Sequence, residues 1–174
     1  PHFRPYGVQV ELTRLDSADF CFAGNCEDGP GLLGIERKIT TDLISSMRSN
    51  RLSGSQLPKL IESYEHVYLI IEGISRCGED GLLETMRGGG WRPVTVGSKP
   101  IMFREVDHFL ASLQHIVGIT VKETSGPAQT AAYIVSRYKW WNDKTFDKHD
   151  SFKAIYSNDP AQPSGGRVRF GLTR

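Results

Sequence analysis

The sequence predicts an α/β domain in which a meander of strands is followed by alternating helices and strands. Apolar and polar residues alternate along Val8–Leu12 and Ala18–Ala23, as is typical of half-buried strands. The nearly all-apolar run Val67–Glu72 indicates a central strand that is covered on both faces. Between the strands, apolar residues recur every three or four positions, which is the helical spacing.

The size and composition of the chain set the limits of this prediction. With 174 residues and 39% hydrophobic content, the chain can bury one core, so we expect a single domain over residues 1–156 and a polar tail over 157–174. The 21 basic and 20 acidic residues give a net charge of +1, which neither requires nor excludes a nucleic-acid partner. Three cysteines without zinc-ligand spacing indicate a reduced, intracellular protein, and no apolar run has transmembrane length.

The first strands are predicted to form an antiparallel hairpin. Val8–Leu12 is the first strand, Ala18–Ala23 the second, and Leu32–Lys38 the third, antiparallel to the second. The residues Gly24–Gly31 between the last two strands have the composition of a loop.

Two helices are predicted between this hairpin and the central strand. Thr40 or Thr41 can cap the first helix, and Asp42 lies in its first turn. Its apolar face consists of Leu43, Ile44 and Met47. The second helix covers Gln56–Tyr64, and its apolar positions are Leu57, Leu60, Ile61 and Tyr64.

The second half of the chain begins with a predicted irregular insertion at about residues 75–107, with a hairpin around 94–103. A helical stripe follows at Phe109, Leu110, Leu113, Ile116 and Val117. Gly118–Val121 is a predicted strand, and residues 125–127 open a last helix. The apolar side of that helix carries Ala131, Ile134, Val135 and Tyr138.

Charged residues interrupt the third strand in the sequence Glu36-Arg37-Lys38. Because residues i and i+2 of a strand share a face, Glu36 and Lys38 stand side by side while Arg37 points to the other face. If the hairpin pairs as predicted, Asp19 from the neighbouring strand lies beside them. Two carboxylates and one ammonium then meet at the end of a sheet.

This trio suits metal-assisted hydrolysis of a phosphodiester. Asp19 and Glu36 offer hard oxygen ligands for Mg²⁺ or Mn²⁺, which lower the pKa of bound water. Lys38 can orient the attacking water and stabilise negative charge, and Asp42 can reach the same ion or a water bound to it. On spacing alone, other interpretations stay open: an ion pair on an exposed strand accounts for Glu36 and Lys38. Asp42 also favours the helix dipole, and Asp19 suits a turn.

The flanking residues resemble the nuclease domain of the XPF family of structure-specific endonucleases. The signature of that family is Gly-Asp, a variable gap, Glu-Arg-Lys, three residues and Asp; here Asp19, Glu36-Arg37-Lys38 and Asp42 follow it in order and spacing. The resemblance is specific from about Leu15 to Gly73. Its further matches are Ser45 or Ser46, Arg51-Leu52, Gln56, Tyr64 and Ile71-Glu72.

The resemblance implies a restriction-endonuclease-like core, with a mixed central sheet flanked by helices, that cuts branched or junction DNA in repair, recombination or replication. It implies Mg²⁺ or Mn²⁺ as cofactor, held by Asp19, Glu36 and the backbone carbonyl of Arg37. Lys38 is then the base that positions water, and Asp42 a further catalytic acid. Arg37 and Glu72 are expected to support the site.

Three departures from the family pattern matter. The glycine of Gly-Asp is Ala18 here. The opening strand of the family, with its Asp-x-Arg-Glu segment, has no counterpart before Val8, so Glu11 is a candidate replacement unless an upstream segment is missing. The tandem helix-hairpin-helix repeats of the family are not visible either.

DNA contacts are expected from basic residues near the motif. Arg48, Arg51 and Lys59 can neutralise phosphates, and Arg92 lies beside Trp91 and three glycines in a loop that can stack on a DNA junction. Solvated surface charges and an ordinary mobile loop are the alternatives.

The predicted partners are DNA and a second chain, in a homodimer or heterodimer, with no membrane. In the resemblance, the last helix around Trp140 and Trp141 forms the dimer surface, with core packing as the alternative. We expect a nuclear location in a eukaryote and a cytoplasmic one in a bacterium or phage. The rival functions are a non-catalytic DNA-binding or partner-docking pseudo-nuclease and, more distantly, a restriction-type enzyme that recognises sequence.

Overall fold

The structure, a computed structural model, describes residues 1–149. Its strands are β1 Phe20–Cys26, β2 Gly29–Ile39, β3 His66–Glu72, β4 Ser75–Cys77, β5 Leu83–Arg87, β6 Gly90–Pro93, β7 Thr95–Val96, β8 Lys99–Pro100 and β9 Thr120–Thr124. Its α-helices are α1 Thr40–Arg48, α2 Leu57–Ser63, α3 Phe103–Ser112 and α4 Pro127–Asp143. Short 3₁₀ turns cover Arg4–Tyr6 and Phe146–Lys148, and π-helical turns cover Leu52–Gln56 and Leu113–Val117. The predicted tail, 157–174, lies outside the described residues.

A four-stranded mixed sheet forms the centre of the domain, in the order β1-β2-β3-β9. β1 pairs antiparallel with β2, whereas β2, β3 and β9 run parallel. The antiparallel hairpin and the central position of β3 are thereby confirmed. The predicted loop over residues 24–31 is too long, since the strands pair as far as Cys26 and Gly29. Gly24 in β1 pairs with Gly31 in β2, and a Cβ on Gly24 would lie 2.8 Å from the Cβ of Trp141 on α4, which explains the glycine at this position.

Helices cover both faces of the sheet. The α1-side core is the cluster of Leu43, Ile44, Leu52, Leu57, Leu60, Val67, Leu69, Ile71, Leu83, Val94, Ile101, Val106, Leu113 and Ile119. The α4-side core is the cluster of Cys26, Leu33, Ile35, Tyr68, Ile70, Ile134 and Trp141. β3 contributes to both clusters, which explains its continuous apolar sequence. The mixed sheet between two helical layers confirms the predicted fold class.

Trp141 anchors α4 to the sheet. Its side chain is 4% exposed, and its Nε1 donates a hydrogen bond to the Tyr68 hydroxyl at 2.8 Å. Burial raises the pKa of the Tyr68 phenol, so the oxygen that accepts this bond belongs to a neutral hydroxyl. Trp141 therefore packs in the core, while Trp140 is half-buried and stacks on His149 with ring centroids 3.8 Å apart.

The predicted first strand, Val8–Leu12, is wrong. These residues form no regular structure, and Leu12 is 97% exposed. Alternation indicates which side chains can share a face, but a strand also needs a neighbouring backbone to pair with. The sheet begins instead where the backbone N–H of Asp19 donates to the carbonyl of Ile35 at 2.8 Å.

The helices are confirmed, but several details differ. Ile39 occupies the N-cap position of α1 and no side chain caps it, so the predicted capping by Thr40 or Thr41 is wrong. Three residues that we assigned to apolar helical faces are substantially exposed, and a fourth is partly so: Ile116 at 82%, Val117 at 46%, Ile61 at 45% and Tyr138 at 37%. Ile116 and Val117 lie in a π-helical turn, whose wider winding shifts residues away from the regular helical spacing.

The segment that we predicted to be an irregular insertion, residues 75–107, is ordered. β4, β5 and β6 form a three-stranded antiparallel sheet, and β7 pairs with β8 as the predicted hairpin. Leu83, Val94 and Ile101 from this segment are buried in the α1-side core. Because β4 starts three residues after the end of β3, this segment lies beside the edge at which the parallel strands end.

Candidate active site

The carboxyl end of β2 carries the charged residues that the sequence singled out. Glu36 and Lys38 lie on the face toward α1, with side chains 10% and 7% exposed. The Lys38 ammonium donates to Glu36 Oε1 at 2.9 Å, which compensates each buried charge. Their predicted side-by-side placement is therefore found in the structure, and it is buried rather than solvated.

Glu36 has one oxygen engaged and one open. Its Oε1 accepts from Lys38 and, at 3.3 Å, from Nε2 of Gln56, whereas its Oε2 has no hydrogen-bond partner among residues 1–149. The ion pair and the amide together fix the orientation of the carboxylate. Oε2 takes part in neither of these two contacts and is available to bind a ligand.

Asp19 lies beside this pair, just before β1. Its Oδ2 accepts a hydrogen bond of 2.7 Å from the backbone N–H of Arg37, and the pairing of Phe20 with Ile35 places Asp19 opposite Glu36. The preceding Ala18 has φ 77°, a left-handed conformation that glycine adopts without strain. We expected Ala18 to be part of a strand, and this expectation is wrong. Its left-handed conformation explains why the family signature has glycine there.

Arg37 points to the opposite face, where it meets Glu72. Its Nε donates to Glu72 Oε2 at 3.0 Å, and a second guanidinium nitrogen pairs with Oε1. Glu72 Oε2 also accepts from Thr130 on α4 at 2.7 Å, and the Thr130 hydroxyl is hydrogen-bonded to Thr124 at 2.7 Å. The hydrogen bonds from Arg37, and secondarily from Thr130, hold the pKa of Glu72 below its usual value. The same contact raises the pKa of Arg37.

Two of the other predicted acids make no direct contact with this group. Asp42 is exposed in the first turn of α1, and its charge contributes to raising the pKa of Arg37. Glu11 is exposed in the irregular N-terminal segment. Neither carboxylate makes a side-chain hydrogen bond or ion pair with a residue in the described range 1–149, so the support expected from Glu11 is not found there.

The predicted DNA-binding residues fall into two groups. Arg48 pairs with Glu105 of α3 at 2.7 Å, and Arg51 donates to the buried Ser46 hydroxyl at 3.0 Å. Lys59 and Arg92 are exposed, and within residues 1–149 their side chains make no ion pair. Lys59 and Arg92 are thus free to meet a phosphate, while Arg48 would first have to leave Glu105.

Sequence reasoning missed three partners of these residues. The contact of Thr130 could have been suspected from the sequence, because its hydroxyl lies next to the apolar stripe of α4. Gln56 matched the family pattern, but its contact depends on a π-helical turn that periodicity does not reveal. The pairing of Arg48 with Glu105 joins residues 57 positions apart and has no local signal.

The donor set at the sheet edge fits a hard divalent cation. No group of three or more His, Cys, Asp or Glu side chains in the described range could enclose a metal ion. Asp19 and Glu36 nevertheless each retain one carboxylate oxygen that has no hydrogen-bond partner within residues 1–149. Mg²⁺ is commonly held by one or two carboxylates, with water and phosphate completing its coordination. These two residues therefore suit Mg²⁺ or Mn²⁺, with water or phosphate as the remaining ligands.

The domain has a mixed sheet with helices on both faces, and an acid–lysine pair lies at the end of a parallel strand. This arrangement defines the restriction-endonuclease-like class. The chain belongs to the ERCC4 domain family, whose model matches residues 1–136. This match confirms the XPF-type resemblance, and the family is one of structure-specific DNA nucleases. No curated protein matches the chain.

Two solved structures of XPF from Aeropyrum pernix are similar to this chain. One, a complex with DNA, is 27% identical with a TM-score of 0.54, and the match covers 77% of this chain and 54% of that one. The other is 24% identical with a TM-score of 0.58, and the match covers 93% of this chain and 68% of that one. This second similarity shows that the fold is shared. This chain thus spans about half of the DNA-bound relative. None of its described helices is both long and apolar enough to pass through a membrane.

Proposed function

We propose that this domain is a metal-dependent endonuclease that hydrolyses phosphodiester bonds near branched or junction DNA during repair, recombination or replication. The observation that carries the proposal is the buried Glu36–Lys38 pair with Asp19 beside it at one sheet edge. The DNA complex of the similar XPF structure supports DNA as the substrate.

In this proposal, the open oxygens of Asp19 and Glu36, with the Arg37 carbonyl, hold Mg²⁺ or Mn²⁺. When bound, the cation polarises the phosphate and lowers the pKa of water. Lys38 has three ammonium donors and, among residues 1–149, uses one of them on Glu36. In this proposal the other two orient the attacking water and stabilise charge on the phosphate.

Arg37 supports the site through both its side chain and its backbone. Glu72 holds the guanidinium from β3, and the backbone N–H of the same arginine holds Asp19. The position of Asp19 is thereby tied to the sheet and, through Thr130, to α4. Asp42 adds negative charge near Arg37 without a direct contact.

For DNA contacts we propose Arg51, Lys59 and Arg92, with Arg48 joining after it releases Glu105. The insertion adds a surface on which Arg76 lies 4.2 Å from the ring centre of Trp91. This stacked pair, with the exposed Arg92, suits the unpaired bases and phosphates at a junction. A second chain is a further proposed partner, in a homodimer or heterodimer.

The proposal is tested by incubating the protein with labelled flap, fork, four-way-junction and linear DNA, with Mg²⁺, Mn²⁺ or EDTA. We expect metal-dependent cutting near junctions. Asp19→Asn and Lys38→Ala should each lower the rate by about 10²–10⁴-fold, as is typical for removing one catalytic group. Asp28→Asn and Lys99→Ala change exposed residues in the β1–β2 turn and in β8, and should cut normally.

Cleavage that survives both Asp19→Asn and Lys38→Ala would refute these roles. Junction binding without cutting in either metal would instead favour the non-catalytic, DNA-binding subunit.

A further inference from the structure

Gln56 combines a contact to the site with an unused acceptor. Its Nε2 donates to Glu36 Oε1 at 3.3 Å. Its Oε1 is buried and has no hydrogen-bond partner among residues 1–149. Buried polar atoms are nearly always paired in folded proteins, so an orphaned oxygen beside a charged cluster calls for an explanation.

The assignment of the two amide atoms follows from chemistry. The neighbouring Glu36 carboxylate is paired with an ammonium and can only accept hydrogen bonds, so the amide NH₂ has to face it. Turning the amide over would bring two acceptor oxygens together. The unpaired atom is therefore the carbonyl oxygen, an acceptor to which no group in residues 1–149 donates.

The backbone fixes the side chain in this place. Gln56 is the last residue of the π-helical turn Leu52–Gln56 and directly precedes α2. Leu52 is fully buried and Leu57 is 2% exposed, so both ends of the turn are anchored in the α1-side core. Isolated π-helical turns are rare and are often found at functional sites.

We propose that Gln56 is a positioning residue of the site. Its N–H holds Glu36 so that Oε2 stays open to the divalent cation, and its carbonyl oxygen accepts a hydrogen bond from a water molecule that the cation carries. The inference rests on the proposed function, because it requires a cation at Asp19 and Glu36. It explains the hydrogen bond from Gln56 to Glu36, and it gives the unpaired carbonyl oxygen of Gln56 a donor.

The test measures Mn²⁺ binding by calorimetry on the full chain without DNA, together with unfolding in urea with EDTA. Removing a residue that orients a metal ligand typically weakens metal binding about 10–100-fold, and we expect that loss for Gln56→Leu. Because leucine also removes the orphaned acceptor, the metal-free variant should be at least as stable as the wild type. Gln114→Leu, at an exposed position, should change neither quantity.

The outcomes separate this inference from the function on which it rests. If Gln56→Leu binds Mn²⁺ as the wild type does while Asp19→Asn does not, the inference is overturned and the metal site stands. If the wild type and Asp19→Asn both fail to bind Mn²⁺, the proposed cation site fails and the role of Gln56 fails with it. A variant that loses stability but keeps its affinity would assign Gln56 a purely structural role.

Discussion

Replacing Glu72 by glutamine tests whether the pair with Arg37 holds the domain together. The glutamine would keep the size of the side chain and one oxygen for Thr130, but it would lose the charge that faces the guanidinium. The carboxylate is 6% exposed, so Glu72→Gln removes one partner from a pair that is mostly shielded from water. We expect a clear loss of stability at neutral pH.

The size of the loss follows from the burial of the two partners. Removing one member of a fully buried pair costs about 3–5 kcal/mol, since the other charge is left uncompensated. Here the Arg37 side chain is 36% exposed, so water hydrates the abandoned guanidinium and reduces the cost. We therefore expect a loss of about 2 kcal/mol, which for a chain of this size lowers the Tm by roughly 4–8 °C.

The pH dependence gives a second, independent signature. The folded-state pKa of Glu72 is lowered, so its contribution is complete above the ordinary glutamate pKa of about 4.3. The contribution is lost as the pH falls through the lower folded-state value. The stability difference between wild type and Glu72→Gln should thus be full at pH 7 and shrink progressively in acid.

Urea unfolding followed by tryptophan fluorescence, at a series of pH values from 7 downward, measures both effects. Glu84→Gln is the matched control: Glu84 pairs with Arg76, whose side chain is 49% exposed, so that change should cost no more than about 1 kcal/mol. Equal losses in the two variants, or a Glu72→Gln difference that does not shrink in acid, would refute the reasoning.

Two further predictions concern the backbone around the site, and both are read from the same unfolding curves. Gly34→Ala would place a Cβ 2.3 Å from Cδ2 of Tyr64, whose ring is held by a hydrogen bond from its hydroxyl to the Ser17 carbonyl. We therefore expect the free energy of unfolding to fall by about 3 kcal/mol. The control is Gly90→Ala, which should be well tolerated because a Cβ there meets no described atom within 4 Å. Ala18→Gly should gain up to about 1 kcal/mol, since relief of a left-handed alanine outweighs the added freedom of the unfolded chain. A loss exceeding about 1 kcal/mol for Ala18→Gly would show that its methyl packing matters more than the strain.

The central architecture was predictable because burial leaves a periodic trace in the sequence. β3 is apolar throughout since helices cover both of its faces, and Leu43 and Ile44 of α1 keep the spacing of a helix with one buried side. Glu36, Arg37 and Lys38 were also placed on the correct faces, because alternation in a strand admits only one arrangement.

Pairing between distant segments was not predictable in the same way. Val8–Leu12 alternates as a strand does, but no segment of the described residues 1–149 pairs with it, whereas the glycine-rich residues 88–90 belong to an ordered hairpin. The hydrogen bond from Gln56 to Glu36 depends on a π-helical turn, and that from Thr130 to Glu72 on the packing of α4. These contacts are decided by tertiary structure, which a local pattern does not encode.

The burial of Glu36 and Lys38 is itself an argument about function. A buried ion pair adds little net stability, because the loss of hydration largely offsets the attraction between the charges, and apolar residues of similar size often serve the fold as well. The α1-side core already contains many leucines and isoleucines, so two more apolar side chains at the end of β2 would suit it. A chain that keeps an acid and a base there, with Asp19 fixed alongside, has an arrangement that folding alone does not require. The proposed cation-assisted hydrolysis would use each of these groups.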